Sequence, residues 1–483
     1  MIGPSSALNA ARRAIDLARA AEETVDVLVV GGGITGAGVA LDAASRGLSV
    51  TLIEAEDLAF GTSRFSSKLV HGGLRYLATG DVATARESAQ ERHLLMTTIA
   101  PHLIHPLGQL LPFSRGVTPR QRVAGAMGMG MGDLLRMRAH TPRSVLPAPR
   151  LVSTRTAVRL APALDTVGLR GGVLSYDGQL VDDARLVVTV ARTAAAHGAR
   201  ILTRVRAIGL RGDGATVEDA LTGERFEIDA RTVINATGVW AGSLDEAIRV
   251  RPSRGTHIVL DANDLGQPTA ALTIPHEGSI SRYIFALPQA YGRVIVGLTD
   301  EDAPGAVPLV AQPTDAEIDF LLASLNRVVA TPVRRDQVRG AFAGLRPLVD
   351  SAAATTSDVS RRHLVATADA GFVTVLGGKL TTYRRMAEDA VDVAVRARAL
   401  PATGSSTASL RLVDRIVPPS EGLLDDRTGL SRAEVEYAVR VEGAMTAADV
   451  LDRRTRVGLV DADRERCRPA VEELVERTLS DLF

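Results

Sequence analysis

The 483-residue sequence has a single cysteine, Cys467, which excludes an internal disulfide and suits a reducing compartment. Lysine is almost absent: of 56 basic side chains only Lys68 and Lys379 are lysine. Net charge is absent too, with 56 basic against 56 acidic side chains, so nothing global points to nucleic acid. Aromatics are sparse, with one tryptophan, six tyrosines and nine phenylalanines, a poor supply for the apolar cage of an amine oxidase. No run of 18 apolar residues occurs, so no membrane-spanning helix is expected. The first 22 residues hold no apolar signal core, and Ser6 reads instead as the cap of a short helix carrying Leu8 and Ile15 on one side. His102 and His105, in PHLIHP, have no acid or cysteine at ligand spacing, so no metal is expected. A cytoplasmic enzyme of two or three domains is the expectation.

Against these absences stands residues 26–54, DVLVVGGGITGAGVALDAASRGLSVTLIE. Strand, glycine turn, helix, strand and acid follow in the order of a dinucleotide site. Gly31 permits the tight turn, Gly33 lets a pyrophosphate approach the backbone, and Gly36 lets the helix pack close to the strand. The helix N-terminus then offers free N–H groups to phosphate. Glu54 is placed to accept hydrogen bonds from an adenosine ribose, and its charge disfavours the 2′-phosphate of NADP.

Further along, a helical pattern runs from Val82 to Ile99, then Pro-, Gly- and Met-rich sequence to about Pro149. Asp182 caps a helix leading to Gly198, followed by strands near Arg200–Ile208, Phe226–Ile228 and Thr232–Asn235. Sheet-like sequence returns at Thr256–Leu260, Tyr283–Leu287 and Arg293–Leu298, then a helix near Thr314–Val329. Phe372–Leu376 is a strand broken by Gly377-Gly378 into a helix from about Leu380 to Arg398. Ser431 with Glu434, and Thr446 with Asp449, read as helix caps in a helical tail. The expected architecture is α/β: a Rossmann-like nucleotide-binding domain from separated segments, an inserted antiparallel-sheet domain and a small C-terminal helical domain. The segments are 22–110, 166–245 and 341–399 for the nucleotide domain, 111–165 for a cap or membrane-facing piece, 246–340 for the substrate sheet and 405–483 for the tail.

Three motifs carry chemistry. Ser66-Ser67-Lys68-Leu69-Val70-His71-Gly72-Gly73-Leu74-Arg75-Tyr76 crowds hydroxyls, cations and paired glycines into eleven residues, as backbone held against a cofactor requires. Ala236-Thr237-Gly238 ends a buried strand with small residues; after a dinucleotide fingerprint, this is the pattern of two-piece FAD folds. Gly377-Gly378-Lys379-Leu380-Thr381-Thr382-Tyr383-Arg384 opens a helix whose N-terminus suits the anionic edge of a reduced flavin. Both lysines of the chain sit inside these glycine motifs, where a compact ammonium does what a planar guanidinium cannot. A phosphorylated substrate needs several cations, and Arg75, Arg346, Arg361 and Lys379 are the candidates. His257, at the start of a sheet strand, is the best-placed general base, with an ordinary imidazole pKa near working pH.

The runs GGGITGAGVALDAASRGLSV, SSKLVHGGLRYL, YDGQLVDDARLV, INATGVWA, GLRPLV, LGGKLTTYRRMAEDAVD and VLDRRTRVGL resemble those of FAD-dependent glycerol-3-phosphate dehydrogenases. The resemblance implies bound FAD, sn-glycerol 3-phosphate as substrate and dihydroxyacetone phosphate as product. It further implies hydride transfer to FAD, a membrane quinone as acceptor, and a peripheral place on the inner face of the cell membrane. Carried over by motif, Arg75, His257, Arg346, Arg361 and Lys379 would line the substrate site, with Tyr76 beside Arg75. The cofactor would be held by Gly31, Gly33, Gly36, Glu54, Ser66, Ser67, Lys68, His71, Gly72, Gly73, Ala236, Thr237, Gly238, Gly378, Leu380 and Thr381. A homodimer is carried as the candidate assembly. Arg64-Phe65 departs from the Ser-Arg usual in that family, and Leu298 stands where a threonine is usual.

Other readings remain open: a glycerol-3-phosphate oxidase using oxygen, another FAD-dependent oxidase of the same fold, or a non-catalytic FAD-binding protein. The last has no reason to keep Lys379 and Arg346. Between Phe113 and Arg150, seven arginines face the single acid Asp133 and alternate with methionine and leucine, a composition suited to an anionic lipid surface.

Overall fold

The computed structural model describes residues 5–73, 80–279, 282–349, 363–419 and 422–483. Its first sheet has the strand order His363–Thr367, Val373–Gly377, Arg225–Asn235, Val25–Val30, Val50–Glu54, Arg200–Thr203. Val25–Val30 lies at its centre, parallel to both neighbours. A central parallel strand is buried on both faces, which explains the apolar run Val27–Val30 that follows the half-buried Asp26. Alternate residues serve different cores: Val27 and Val29 face the helices Ile34–Ser45, Asp183–Ala196 and Tyr383–Arg398. Leu28 and Val30 face the antiparallel layer containing Ala215, Val217 and Ile228, together with Ala20 of the helix Ala10–Glu22.

The fingerprint packs as its glycines demand. Gly31 adopts φ 110, and a Cβ there would stand 2.7 Å from the carbonyl oxygen of Ala236. A Cβ on Gly36 would stand 1.8 Å from the carbonyl oxygen of Gly31, so helix and strand meet only because that Cβ is missing.

The second sheet runs Glu301–Asp302, Val250–Asp261, Arg293–Gly297, Tyr283–Gln289, Ala271–Pro275, Ile104–Pro112, Gly172–Leu180, Leu69–Val70. Gly340–Val349 pairs along Val250–Asp261, from Val250 opposite Val349 to Val259 opposite Gly340. Segments 22–110, 166–245 and 341–399 therefore each supply strands to both sheets. The helices Pro119–Arg138, Thr154–Leu160 and Asp315–Asn326 pack on the second sheet around Leu110, Ile258, Leu272 and Leu325. The chain ends in helices Arg432–Arg440 and Asp461–Ser480 around Val435, Leu451, Cys467 and Val471. Ser431 with Glu434, and Thr446 with Asp449, form reciprocal capping boxes.

Several local expectations change. The N-terminal helix is capped by Asn9, not Ser6, whose hydroxyl is too far upstream of Ala10. Leu8 is buried ahead of that helix, while Ile15 is 58% exposed. Arg200–Ile208 is broken at Arg204, at φ 61, into Arg200–Thr203 and Val205–Arg211. Phe226–Ile228 and Thr232–Asn235 are one strand, Arg225–Asn235. The Pro-, Gly- and Met-rich stretch contains a strand, Ile104–Pro112, and a 20-residue helix, Pro119–Arg138. Among the described residues no helix is long and apolar enough to cross a membrane.

Candidate active site

A cavity of about 770 Å³ opens between the two sheets. At one end it meets the glycine turn: Gly31, Gly33, Glu54, Ala236, Thr237 and Gly238 line it. Gly36 lies behind, in the contact between helix and strand. Gly31 N–H is held by the carbonyl of Ile53, and Ala236 N–H by that of Val30, each at 2.8 Å, so neighbouring strands present their ends together. Glu54 accepts from the N–H groups of Gly32 at 2.6 Å and Glu56 at 2.9 Å. Burial holds its carboxyl above the usual range despite those bonds. A Cβ on Gly33 would meet only Ser63 Oγ, at 3.1 Å, and otherwise point into free space. That open backbone, at a helix N-terminus beside a carboxylate, is a cradle that fits a dinucleotide.

At the other end the cavity meets His71, Asp177, His257, Arg346 and Lys379. His257 is buried and stacks on Phe342 with ring centroids 4.8 Å apart. Its Nε2 lies 2.9 Å from Ser67 Oγ, and its Nδ1 has no hydrogen-bond partner among the described residues. Burial, with the cations Lys68 and Arg346 nearby, pushes its pKa down to about 3. The expectation of an ordinary imidazole pKa is thus corrected: desolvation and two positive neighbours keep this ring neutral. Arg346 is held by Asp300 Oδ1 at 2.9 Å, Ser253 Oγ at 3.0 Å and the Thr299 carbonyl at 3.2 Å. Lys379 donates to Ser88 Oγ. Gly378 adopts φ 67, and a Cβ there would stand 2.4 Å from Met386 Sδ, so the turn that presents Lys379 requires glycine. Leu380 and Thr381 continue this wall, and Thr381 Oγ1 accepts from His71 N–H at 3.2 Å.

The SSKLVHGG run divides. Ser66, Ser67, Leu69, His71 and Gly73 reach the cavity. Lys68 points away, with Nζ 2.8 Å from Asp183 Oδ1 in a buried ion pair. Asp183 also accepts from Ser66 N–H at 2.9 Å and Ser66 Oγ at 2.8 Å. Gly72 lies beside Arg92, whose guanidinium would be struck by a Cβ. Arg75, Tyr76 and Arg361 lie outside the described residues. Three groups on the cavity carry chemistry that sequence reading did not assign. Asp177, in YDGQLVDDARLV, pairs with Arg92 at 2.6 Å and lies 3.4 Å from His71 Nδ1. Ser63 Oγ accepts from Ile34 N–H at 2.9 Å. Asp300 anchors Arg346, and its place after Gly297-Leu298-Thr299 was the available signal.

Residues 26–384 match the FAD dependent oxidoreductase family model, and residues 382–480 match the C-terminal domain of alpha-glycerophosphate oxidase. "Glycerol-3-phosphate dehydrogenase 1" of Mycobacterium tuberculosis is 49% identical, over 98% of this chain and 99% of that protein. The chain belongs to the FAD-dependent glycerol-3-phosphate dehydrogenases. The mitochondrial dehydrogenase SDP6 of Arabidopsis thaliana is 34% identical, over 96% of this chain and 84% of that protein. Glycerol-3-phosphate dehydrogenase of Bacillus halodurans, solved with FAD, superposes with a TM-score of 0.72 at 25% identity, covering 98% of this chain and 97% of that one. In this dehydrogenase Arg64, the departure noted in sequence, is buried between the rings of Phe60 and Phe65, its guanidinium carbon 5.3 and 4.5 Å from their centroids. Burial and the guanidiniums of Arg453 and Arg456 press its pKa down to about 9.

Proposed function

We propose that this dehydrogenase oxidises sn-glycerol 3-phosphate to dihydroxyacetone phosphate and passes the electrons to a membrane quinone. Bound FAD supplies the acceptor for the hydride that leaves carbon 2 of the substrate. The chain supplies the rest. Lys379 and Arg346, with Arg75 and Arg361, neutralise and orient the phosphate dianion and steady the developing alkoxide. Arg346 is suited to this because Asp300, Ser253 and the Thr299 carbonyl fix its fork before substrate arrives.

His257, neutral and facing the cavity, takes the hydroxyl proton in this reading. An entering dianion raises its proton affinity by offsetting the charge of Lys68 and Arg346. A second reading gives that role to His71, which is half-exposed on the cavity with Asp177 3.4 Å from Nδ1. The two separate in the pH profile of flavin reduction: whichever histidine is the base, its replacement by glutamine abolishes the acid limb.

The quinone part rests on one observation, the two faces of the helix Pro119–Arg138. Ala124, Gly125, Gly128 and Met129 line the cavity. Val123, Met127, Met131, Leu134 and Met137 lie exposed on another side, Met127 at 64%. An exposed apolar stripe flanked by arginines suits shallow burial in anionic lipid, beside the cavity wall. The decisive assay is turnover under air with vesicles that contain quinone. Electrons should appear in the quinone with little hydrogen peroxide; stoichiometric peroxide would support the oxygen-using alternative instead.

A further inference from the structure

Among the described residues, none after Met386 lines the cavity. The C-terminal domain nevertheless grips the loop that does. Residues 55–65, following Glu54, line the nucleotide end through Glu56, Phe60, Thr62 and Ser63. On its inner side the loop is tied to the glycine turn, Ala59 N–H donating to the Gly32 carbonyl at 3.0 Å and Ser63 Oγ accepting from Ile34 N–H at 2.9 Å. Ala59 adopts φ 62, a conformation a Cβ disfavours, so contacts around the loop must offset that strain.

Two of those contacts are the Arg204 N–H on the Glu56 carbonyl, at 3.0 Å, and the Thr62 hydroxyl donating to the Leu345 carbonyl at 2.6 Å. The buried ion pairs come from one short run, Arg453 to Arg456. Buried Asp57 accepts from Arg453 Nε at 2.6 Å and from Arg454 Nη1 and Nη2 at 2.8 Å each. Arg456 Nη2 donates to the Arg64 carbonyl at 2.7 Å, and its Nε lies 3.2 Å from Asp182 Oδ1. The arginines are fixed from behind: Arg453 pairs with Asp449, and Arg454 donates to the Glu442 carbonyl from Nε at 3.1 Å and Nη2 at 2.9 Å.

We propose that Arg453, Arg454 and Arg456 are positioning residues for the cofactor, holding loop 55–65 in the shape that seats the nucleotide end of FAD. Flavin retention is then a property of the joined domains, not of the nucleotide domain alone. The inference rests on the assignment of the cavity to FAD. Two guanidiniums on one buried carboxylate make charge-assisted bonds, and loss of one partner leaves the others buried without compensation. The loop then relaxes from the Ala59 conformation, and the seat is lost without any FAD contact being mutated.

The test compares two isosteric changes in the same domain contact. Asp57→Asn weakens the clamp on the loop. Asp463→Asn weakens a neighbouring pair, Asp463 with Arg293 at 2.6 Å, that joins the last helix to the second sheet; Arg293 keeps its bonds to the Arg456 and Val457 carbonyls, at 3.0 and 3.2 Å, and neither side chain touches the loop. Release of FAD from the holoenzyme is followed by flavin fluorescence after dilution, beside thermal unfolding of each protein. Asp57→Asn and Arg453→Gln should release FAD at least tenfold faster than wild type, with partial rescue in Arg453→Lys. Asp463→Asn should unfold at lower temperature yet release FAD at the wild-type rate. Wild-type release from Asp57→Asn and Arg453→Gln, or equal release from Asp463→Asn, would overturn the clamp. Should Asp57→Asn fail to fold, Arg456→Lys gives the same comparison with the Asp57 pairs intact. A wild-type protein that binds no FAD would overturn the cavity assignment and the clamp with it.

Discussion

Gly33 and Gly36 stand three residues apart and should fail differently when replaced. A Cβ on Gly36 meets the Gly31 carbonyl, so Gly36→Ala should destabilise the fold by about 1–3 kcal/mol through overpacking. Gly33 opens on the cavity, so Gly33→Val should unfold at nearly the temperature of FAD-free wild type while the purified protein loses its flavin absorbance. Normal flavin in Gly33→Val would contradict the cradle. Lys379→Met should keep FAD but slow flavin reduction by substrate about a hundredfold or more, the ~3 kcal/mol expected for one preorganised charge. Stopped-flow rates equal to wild type would remove Lys379 from the site. His257 gives a pH signature. Its pKa, held at about 3 against 6.5 in a free ring, means that between those values the unfolded chain binds a proton that the native state refuses. Stability therefore falls as pH drops from about 6.5 toward 3 and does not change with this group above 6.5. Unfolding temperature in substrate-free protein should fall less steeply with acid in His257→Gln; equal slopes would refute the shift. At this scale the glycine roles were legible because spacing alone encodes close approach. The lysines were half legible: scarcity marked both, but Lys68 answers to Asp183, a partner 115 positions along the chain that sequence does not point to.

The helix Pro119–Arg138 was hidden because Gly125, Gly128 and Gly130 lower helix propensity and read as loop. Packing overrides that: a Cβ on Gly125 would lie 2.3 Å from Leu111 Cδ2, so glycine is what lets the helix settle on the sheet. Thr118 and Gln121 form its capping box, with Pro119 inside the first turn, signals that were present in the sequence. Its arginines are not equivalent. Arg136 is buried, paired with Asp133 and donating to the Thr141 carbonyl, whereas Arg138 is exposed. Met127→Glu with Met131→Glu should reduce sedimentation with anionic liposomes and slow quinone reduction, while flavin reduction by substrate stays normal. Arg136→Gln should lower stability and leave liposome binding unchanged. Liposome binding that ignores the methionine changes would remove this stripe from the membrane account. Strands were missed for a related reason. Ile104–Pro112 contains Pro106 and ends on Pro112, residues that speak against a strand, yet it pairs along Gly172–Leu180 from Ile104 to Pro112.

Across the whole molecule, the nucleotide sheet was legible because parallel strands with glycine turns carry local signals. The second sheet was legible only between Thr256 and Leu298. Three of its other strands, Ile104–Pro112, Gly172–Leu180 and Gly340–Val349, come from distant parts of the chain and are defined by their partners. The same long-range assembly makes the cavity: the glycine turn, the Ser66–Gly73 run, the His257 strand and the Lys379 turn converge from four parts of the sequence. One end presents a dinucleotide cradle and the other fixed cations, so the account stands or falls on a phosphorylated substrate reducing a flavin held there. Anaerobic titration of the FAD-loaded protein tests this most directly. The flavin should bleach with sn-glycerol 3-phosphate and remain yellow with glycerol, which offers the same carbon 2 without the dianion. A flavin that glycerol 3-phosphate leaves oxidised, or that glycerol bleaches equally well, would contradict it.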